Sequence, residues 1–453
     1  MKKYIIPIVG CMTLALEAAS AKATSRDKPN ILIILADDLG YGDLSCQGVA
    51  KDIHTPHIDR LLNEGIRFTN FHANCPVSSP SRAALLTGRF PDLVGVPGVI
   101  RTTKEDNWGY LSQEAILLPQ MLKSKGYHSA IIGKWHLGLQ SPNTPCERGF
   151  DYFHGFLGDM MDDYYTHLRL NNNYMRENDQ LINPKGHATE LFSDWAIDYI
   201  AKQKENEEPF FLYLAYNAPH VPLQPPAEWL DKVKKRGLDV SENRVKLIAL
   251  IEHLDHQVGR VYQALEATGQ LENTLIIFTS DNGGQKNAGA NNGLFRGEKG
   301  NMYEGGIRVA GGFYWKGKIM PAINDNLVIL FDLYPTICEL VGANISHEID
   351  GISVLPLLKG EYQITDDRIL FWMRREGWLS YGGLSYYAAS YKSHKILQNT
   401  PWEAVQYFNI KDDPTEENPI TNHNSELFKE IFQALTEHIR QSGAIPWQKK
   451  KED

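Results

Sequence analysis

The sequence predicts an α/β fold with a large, mainly parallel β-sheet sandwiched by helices, followed by a small C-terminal antiparallel sheet. Between about residues 30 and 340, two kinds of segment alternate. One is a short continuous apolar run, such as residues 31–35, which is typical of a strand buried on both faces. The other carries apolar residues at helical spacing, as in residues 191–200 and in residues 245–267 before Gly269. This alternation predicts the parallel sheet.

The strands of that sheet are predicted at four apolar runs, namely residues 31–35, 129–132, 210–215 and 275–278. After Gly360 the pattern changes, because residues 366–410 contain short aromatic-rich runs separated by turn residues. Such runs predict an antiparallel sheet, and a helical pattern follows near residues 425–442. We therefore divide the chain into four parts: a leader (1–23), a large domain (24–360), a C-terminal α+β subdomain (361–447) and a tail (448–453).

The composition is that of an ordinary globular protein, with 453 residues, 42% apolar and 22% charged. A formal net charge of −9 argues against a general nucleic-acid binder, which would carry a basic stripe. An acidic chain can still bind an anion in a positively charged pocket. The cysteines form no Cys-x-x-Cys pair, and their wide spacing favours isolated thiols over disulfides. They occupy positions 11, 46, 75, 146 and 338.

The N-terminus has the pattern of an export signal. Lys2 and Lys3 precede a mostly apolar stretch over residues 4–16, and residues 18–23 offer Ala-x-Ala cleavage sites. The pattern predicts an exported, most simply periplasmic protein. Lipid anchoring through Cys11, which ends a lipobox-like sequence, and full secretion are the alternatives. No later apolar run is long enough to span a membrane.

Polar residues follow each of the four predicted strands. They are Asp37 and Asp38, Lys134 and His136, Asn217 and His220, and Asp281 and Asn282. In open parallel sheets, ligands bind outside the carboxyl ends of the strands. Singly, each residue has a structural explanation, because an Asp-Asp or Asp-Asn pair often only caps a turn and a lone histidine is usually a core or surface residue. Together, the hard oxygen donors Asp37, Asp38, Asp281 and Asn282 suit calcium or magnesium rather than zinc.

Residues 75–89 predict a helix whose N-terminus suits an anion. Pro80 fits the first turn, and Gly88 can end the helix. Ser78 would lie at the positive end of the helix dipole, and Arg82, one turn further, could add a charge-assisted contact. The alternative is an ordinary serine-rich helix start with an incidental arginine.

The segment Ser78-Ser79-Pro80-Ser81-Arg82 with Leu86-Thr87-Gly88-Arg89 resembles the signature of the type I, formylglycine-dependent sulfatases. Further segments are similar to other motifs of that family, and they occur in order over about residues 29–420. They are residues 29–40, 133–138, 218–220, 280–283, 297–300, 304–309 and 407–416. The ordered set is far more specific than any one motif.

This resemblance implies an alkaline-phosphatase-like α/β fold, a calcium ion and a formylglycine nucleophile. Many members have cysteine where this chain has Ser78, so the resemblance is to the serine-type, arylsulfatase-like enzymes of bacteria. It implies a radical maturation enzyme as a partner and formylglycine (3-oxoalanine) made from Ser78. It also implies that Asp37, Asp38, Asp281 and Asn282 bind calcium together with the modified residue 78.

The resemblance further implies catalytic roles. Lys134 and Arg82 would stabilise the hydrated formylglycine, and His136 would be the base that regenerates the aldehyde. His220 and Lys299 would hold the sulfate, with His220 as the general acid. For Lys299, a solvated loop charge among the neighbouring charged residues is the alternative explanation.

Sulfated carbohydrates are the expected substrates, with galactose or N-acetylgalactosamine sulfates favoured. The segment 155–167 is rich in acids and aromatics, which could recognise a sugar or form a buried structural loop. Candidate substrate contacts are Arg101, Asp159, Asp162, Asp163 and His167. Two alternatives remain: a phosphomonoesterase or phosphodiesterase of the alkaline phosphatase superfamily, and a non-catalytic relative that binds sulfated glycans.

Overall fold

The computed structural model describes residues 28–102, 110–206, 208–361, 367–376 and 385–446. The strands in those residues are β1 (Asn30–Ala36), β2 (Ile66–Phe68), β3 (Phe71–His72), β4 (His128–Lys134), β5 (Tyr152–Phe156), β6 (Leu168–Arg169), β7 (Asn172–Asn173), β8 (Met175–Glu177), β9 (Gln180–Leu181), β10 (Phe210–Ala215), β11 (Thr274–Ser280), β12 (Gly311–Tyr314), β13 (Ala322–Asn324), β14 (Val328–Ile329), β15 (Leu370–Arg375), β16 (Ser385–Tyr391), β17 (His394–Gln398) and β18 (Gln406–Asn409). The helices are α1 (Pro56–Glu64), α2 (Ser78–Thr87), α3 (Leu118–Lys123), α4 (Ala188–Lys204), α5 (Ala227–Lys234), α6 (Glu242–Ala267), α7 (Glu304–Ile307), α8 (Leu333–Val341), α9 (Leu355–Leu358) and α10 (Glu426–Gly443). The predicted leader, Cys11 and the tail lie outside the described residues.

The large sheet has the strand order β13-β2-β12-β11-β1-β10-β4-β5-β8-β9. The four strands predicted from apolar runs, β4, β10, β1 and β11, are neighbours at its centre and run parallel. Strand β5 adds a further parallel neighbour, whereas β12 and β8 pair antiparallel. The sheet is therefore mixed but mainly parallel, as predicted.

Both faces of the central sheet are covered by helices. Ile31, Ile33 and Leu35 of β1 face one apolar cluster, which includes residues of α2, α3 and α8. Leu32 and Ile34 face the other cluster, with residues of α1, α4 and α6. Alternate side chains of one strand thus enter two separate cores, which explains why the strand sequences are continuously apolar.

A smaller antiparallel sheet, β15-β16-β17-β18, follows the large one, as the aromatic-rich pattern predicts. Helix α10 begins after Ser425, whose side-chain oxygen accepts a hydrogen bond from the backbone N–H of Phe428. Its apolar residues pack on the small sheet, where Ile431 lies in one cluster with Ile396. The opposite face of the small sheet packs against the large domain, with Trp372 and Ala84 of α2 in a shared cluster.

A buried ionic cluster also joins the small sheet to the large domain. The ammonium of Lys395 on β17 donates to Glu304 at 2.8 Å and to Glu416 at 2.9 Å. His72 Nε2 lies 2.9 Å from the second carboxylate oxygen of Glu304. The side chains of Lys395, Glu304 and Glu416 are at most 2% exposed. Arg308 also pairs with Glu304 at 2.7 Å, whereas Lys395 is the cation that balances Glu416.

We expect Lys395→Met to destabilise the fold by about 3–5 kcal/mol, because it leaves the buried Glu416 without its cation and Glu304 with one cation fewer. Urea unfolding at neutral pH measures the loss. The matched control is Lys429→Met, because Lys429 is 56% exposed and pairs with Glu426 on the surface of α10. That control should change stability by less than about 1 kcal/mol. Equal effects in the two variants would contradict the role assigned to the cluster.

Cys46, Cys75, Cys146 and Cys338 all carry free thiols, which confirms the expectation of isolated cysteines for these four. Within the described ranges, no helix has both the length and the apolar character needed to cross a membrane.

Candidate active site

Polar side chains meet where the central strands of the large sheet end. Asp37 and Asp38 follow β1, and Lys134 is the last residue of β4. His220 lies beyond β10, and Asp281 follows β11. Because these four strands are adjacent and parallel, their carboxyl ends share one edge, as the sequence predicted.

Two of the site residues have left-handed backbone conformations. Asp38 has a φ of 67° and His136 a φ of 59°. Such values cost a residue with a side chain about 1 kcal/mol or more, and they recur at functional sites. Here they turn the chain sharply after a strand, so that consecutive side chains reach different parts of one site.

Helix α2 places Ser78 at this same edge. Ser78 is its first residue, and its hydroxyl donates to Asp37 Oδ1 at 3.1 Å. Asn282 Oδ1 lies 3.5 Å from the same hydroxyl. Every residue of α2 is buried, and Gly88 ends the helix in the left-handed conformation, as predicted. The N-terminus of α2 is therefore directed at the cluster of acids rather than at the protein surface.

Each of the three acids faces a cation. Lys134 donates to Asp37 Oδ2 at 2.5 Å, and Lys299 donates to Asp38 Oδ2 at 2.6 Å. The guanidinium of Arg82 donates twice to Asp281 Oδ2, from Nε at 3.1 Å and from Nη2 at 2.7 Å. These contacts bring the residues of five sequence motifs into one hydrogen-bonded network.

The pKa values of the acids reflect this crowding. Burial by itself would raise the pKa of Asp37, but Lys134, His220 and Arg82 outweigh it and hold the pKa below its usual range. Burial is likewise outweighed at Asp38, where Lys299 is the main cation lowering the pKa. At Asp281, burial and the charge of Asp37 raise the pKa despite Arg82. An additional cation would relieve this concentration of negative charge.

The donor set fits a hard metal ion. Asp37, Asp38 and His220 each offer a ligand atom within 4.8 Å of the others. Asp281 and Asp37 contact the same guanidinium of Arg82, and Asn282 Oδ1 and Asp37 contact the same hydroxyl of Ser78. Both residues therefore add oxygens to this cluster, and calcium and magnesium prefer oxygen ligands. The amide of Asn282 lies 2.8 Å from Asp38 Oδ1, and its oxygen and nitrogen can exchange places by a flip of the side chain.

His136 supplies a buried basic atom beside Lys134. Its Nε2 lies 3.0 Å from the carbonyl oxygen of Ile100, so Nε2 carries the proton that is donated there. Its Nδ1 is buried and has no hydrogen-bond partner within the described chain. Burial, reinforced by Lys134 and Arg82, lowers the pKa of His136 well below its ordinary value. The imidazole is therefore neutral at physiological pH, with Nδ1 able to accept a proton.

His220 presents its other ring nitrogen to the site. Nδ1 lies 2.7 Å from the carbonyl oxygen of Val221, and Nε2 lies 3.6 Å from Asp38 Oδ2. Burial and the charge of Lys299 lower its pKa, whereas Asp38 and Asp37 act in the opposite direction. A negatively charged ligand beside Nε2 would favour the protonated ring.

These groups line the floor of an open cleft of about 460 Å³. Its lining includes Ser78, Lys134, His136, His220 and Lys299. A serine at a helix N-terminus, a neutral imidazole, a second histidine and two lysines thus share one solvent-accessible space. That set of groups can bind an anionic ester and move protons at it.

The model of the sulfatase family matches residues 29–343 of the sequence. This chain belongs to the sulfatase family. Family membership makes it a sulfuric ester hydrolase, and it accounts for the resemblance seen in the sequence motifs.

Similar proteins agree with the assignment. The uncharacterized sulfatase YdeN of Escherichia coli is 33% identical over 77% of this chain and 69% of its own length. The N-acetylgalactosamine-6-sulfatase of the dog, Canis lupus familiaris, is 32% identical over 86% of this chain and 76% of its own. The crystal structure of Ps i-CgsB in complex with k-i-k-neocarrahexaose has a TM-score of 0.84 and 30% identity, covering 94% of this chain and 95% of that one.

The candidate substrate residues of this sulfatase separate into two groups. Arg101 and Asp159 line the cleft. The other three are absent from its lining and are engaged by other groups of the protein. Asp163 accepts backbone N–H groups of residues 165 and 166, Asp162 pairs with Arg169 at 2.7 Å, and His167 Nε2 lies 3.0 Å from the carbonyl oxygen of Gly186. For these three, the structural explanation fits the contacts.

Other residues of the cleft were not singled out in the sequence. They are Val99, Met160, Val221, Gln285, Asn287 and Arg374. Val221, Gln285 and Asn287 lie within four residues of a sulfatase motif, so for these three proximity to a motif would have been a usable signal. Arg374 is far from any motif, because it lies on β15 of the small sheet. Only the packing of the two sheets brings Arg374 to the cleft.

Proposed function

We propose that this sulfatase hydrolyses sulfate esters of carbohydrates, using a formylglycine formed from Ser78 and a bound calcium ion. The observation that carries the proposal is the position of Ser78. Its hydroxyl lies at the N-terminus of α2, 3.1 Å from Asp37, on the floor of a cleft that also contains His136 and His220.

The four oxygen donors Asp37, Asp38, Asp281 and Asn282 would hold the calcium together with residue 78. When bound, the ion supplies Lewis-acid polarisation at the floor of the cleft. Lys134 and Arg82, which contact two of these carboxylates, keep positive charge next to residue 78. Both cations would favour the charged form of a hydroxyl on that residue.

Oxidation of Ser78 would change what its side chain can do. The hydrated aldehyde supplies two hydroxyls on one carbon. One can attack sulfur as the bond from sulfur to the alcohol oxygen breaks, which leaves the sulfate on residue 78. Loss of the proton from the other hydroxyl then breaks the carbon–oxygen bond to this sulfate and restores the aldehyde, which water hydrates again. A plain serine would instead retain a slowly hydrolysed sulfate ester. His136 is suited to accept the proton, because its ring is neutral and Nδ1 has no partner among the described residues. A serine-type radical maturation enzyme would carry out the oxidation.

His220 and Lys299 would hold the sulfate and protonate the departing alcohol oxygen. We expect His220→Ala to lower kcat/KM for a sugar sulfate by at least about 100-fold, because a sugar alkoxide needs a proton to leave. For 4-nitrophenyl sulfate the loss should be much smaller, since nitrophenolate leaves unaided. Steady-state kinetics on both substrates measure the contrast. His256→Ala, at an exposed position of α6, serves as the control, and equal losses on the two substrates would rule out the acid role.

Carbohydrate sulfates are supported as substrates by the relatives. Several are named N-acetylgalactosamine-6-sulfatase, and one solved neighbour was crystallised with neocarrahexaose. The cleft is open and mostly polar, which suits a saccharide. Sulfates of galactose or N-acetylgalactosamine are our proposed substrates within this class.

A release assay over a panel of defined sulfated mono- and disaccharides tests the proposal, using protein made together with its maturation enzyme. Peptide mass spectrometry of residues 75–89 should accompany it, and matched phosphate monoesters belong in the panel. We expect sulfate release from galacto-configured sugars by protein with oxidised Ser78. Phosphate release without sulfate release would favour the phosphatase alternative, and saccharide binding without turnover would favour a glycan-binding relative.

We further propose that residues 1–23 direct export to the periplasm and that residues 24–360 form the catalytic domain. The subdomain over 361–447 would then complete the cleft through β15.

A further inference from the structure

One wall of the cleft is a turn that carries two neutral amide side chains. Gln285 and Asn287 both line the cleft, whereas Lys286 between them does not. Gln285 is half-buried and Asn287 is exposed, so a molecule in the cleft can reach both side chains. Neither amide has a role in the reaction proposed above.

This turn is fixed to the rest of the protein through its backbone. The side chain of Asn292, which is 2% exposed, accepts the N–H of Gly284 at 2.9 Å and donates to the carbonyl oxygen of Gly284 at 2.9 Å. At the other end of the turn, the side chain of Asn243 donates to the carbonyl oxygen of Asn287 at 3.0 Å. The backbone is thus held in place without any use of the two amide side chains.

The amides of Gln285 and Asn287 are free to bind a ligand. Within the described ranges, these two residues form hydrogen bonds only through their backbone carbonyl oxygens, which accept from Ala288 and Ala290 and from Asn243. Each side chain therefore keeps one acceptor oxygen and two N–H donors. A hydroxyl both donates and accepts, so it matches an amide, whereas a sulfate can only accept.

The turn also lies beside the lysine proposed to hold the sulfate. The backbone N–H of Lys299 donates to the carbonyl oxygen of Gly284 at 3.2 Å, and Gly284 directly precedes Gln285. The carboxylate of Glu298 accepts the backbone N–H of Lys286 at 2.6 Å, which places a negative charge next to the two amides. That charge would repel a second anionic group at this wall, but a hydroxyl could donate to it.

We propose that Gln285 and Asn287 determine specificity by binding a free hydroxyl of the sugar that carries the cleaved sulfate. The network around Ser78 would then recognise the sulfate, and the amide turn would recognise the sugar. A buried or half-buried group that is built to bind a hydroxyl discriminates against an analogue that lacks it, because its own donors and acceptors are left unpaired. The inference rests on the proposed function and narrows its substrates to sugars with an unsulfated hydroxyl near the ester.

The first test compares a sugar sulfate with an aryl sulfate that has no sugar hydroxyl. The substrates are the galactose or N-acetylgalactosamine monosulfate that the native enzyme cleaves fastest and 4-nitrophenyl sulfate. We expect Gln285→Met, which keeps the size of the side chain but removes the amide, to lower kcat/KM for the sugar sulfate about 5- to 10-fold. Asn287→Ala should cause a similar loss. For 4-nitrophenyl sulfate, both variants should stay within about twofold of the native enzyme.

Analogues of the same sugar sulfate that each lack one hydroxyl identify the group that is bound. The native enzyme should cleave one analogue about 5- to 10-fold more slowly than the complete sugar. Neither variant should lower the rate on that analogue further, because the hydrogen bond is already absent. The matched control is Lys286→Ala in the same turn, since its backbone N–H remains and its side chain does not line the cleft. The control should leave the preference for the complete sugar unchanged.

Binding to the unmatured protein provides a readout that does not depend on turnover. Calorimetry with calcium present and Ser78 unmodified uses the 3-, 4- and 6-sulfates of galactose and inorganic sulfate as probes. Gln285→Met should raise the Kd of at least one galactose sulfate about 5- to 10-fold and leave that of inorganic sulfate unchanged.

The amide turn has no part in specificity if both variants change the Kd values of sugar sulfates and inorganic sulfate by the same factor. Equal losses of kcat/KM on the sugar and the aryl sulfate, or cleavage of the aryl sulfate alone, would also overturn the inference. Absence of all sulfate release would instead contradict the proposed function, while the binding measurement would still test the two amides.

Discussion

Ser78→Ala is expected to abolish hydrolysis of every sulfate ester, lowering kcat by at least about 10⁴-fold. Alanine has no oxygen that a maturation enzyme could convert to an aldehyde, so the variant lacks any nucleophile at residue 78. The cations around Asp37 and Asp281 remain, and the cleft should still bind sulfated saccharides. Stopped assays of sulfate release measure the activity, and calorimetry measures the binding that is retained.

The control for this variant is Cys75→Ala, in the same segment. Cys75 is buried, and its Sγ donates to the backbone carbonyl of Met373, away from the acids. That variant should keep most of its activity.

In the native protein, the peptide containing residue 78 should have lost two hydrogen atoms relative to serine. Full activity in protein whose Ser78 is unmodified would refute the formylglycine mechanism.

Asp281→Asn is expected to weaken calcium binding by at least about 100-fold, because it removes one full negative charge from a buried oxygen cluster. Activity in the variant should be lost at micromolar calcium and partly recovered at millimolar calcium. Titration calorimetry on protein stripped with a chelator measures the affinity, and rates at a series of free calcium concentrations measure the recovery.

Asp231→Asn is the control for this charge change, since Asp231 is exposed on α5. It should leave both calcium affinity and activity unaltered. An Asp281→Asn protein with native calcium affinity would show that these acids serve only to anchor Arg82 and Lys134. Recovery by zinc but not by calcium would assign the site to a different metal.

Much of the fold was predictable because its central strands are buried on both faces. Continuous apolar runs identified β1, β4, β10 and β11, and these four turned out to be neighbours. Strands of two or three residues at the edges, such as β8 and β9, were not predicted, since so short a segment carries no periodicity. The same reasoning predicted the acids of the site, because residues that follow neighbouring parallel strands lie at the same edge of the sheet.

The walls of the cleft were harder to predict. Arg374 lies on an aromatic-rich strand whose pattern indicates only a sheet, and Glu376 directly follows that strand. The contact of Glu376 with Arg101 depends on how the small sheet packs on the large domain. In the segment 155–167, by contrast, the sequence suggested substrate contacts that the structure does not place in the cleft. Its acids look like sugar contacts in the sequence, yet Asp162 and Asp163 are used to hold their own turn. Composition alone cannot distinguish a carboxylate that faces a cleft from one that accepts backbone N–H groups.

The complete burial of α2 has a consequence for how the enzyme is made. Ser78 is 3% exposed, and both faces of its helix are packed against the large domain and the small sheet. Under the proposed maturation, the maturation enzyme could not bind the peptide around residue 78 once this helix has packed into the protein. Oxidation and folding would then compete for the same nascent segment. A molecule that folds before Ser78 is oxidised would be stable but permanently inactive. The specific activity of a preparation would then depend on the fraction of molecules that were oxidised before folding, as well as on the kcat of the mature active site.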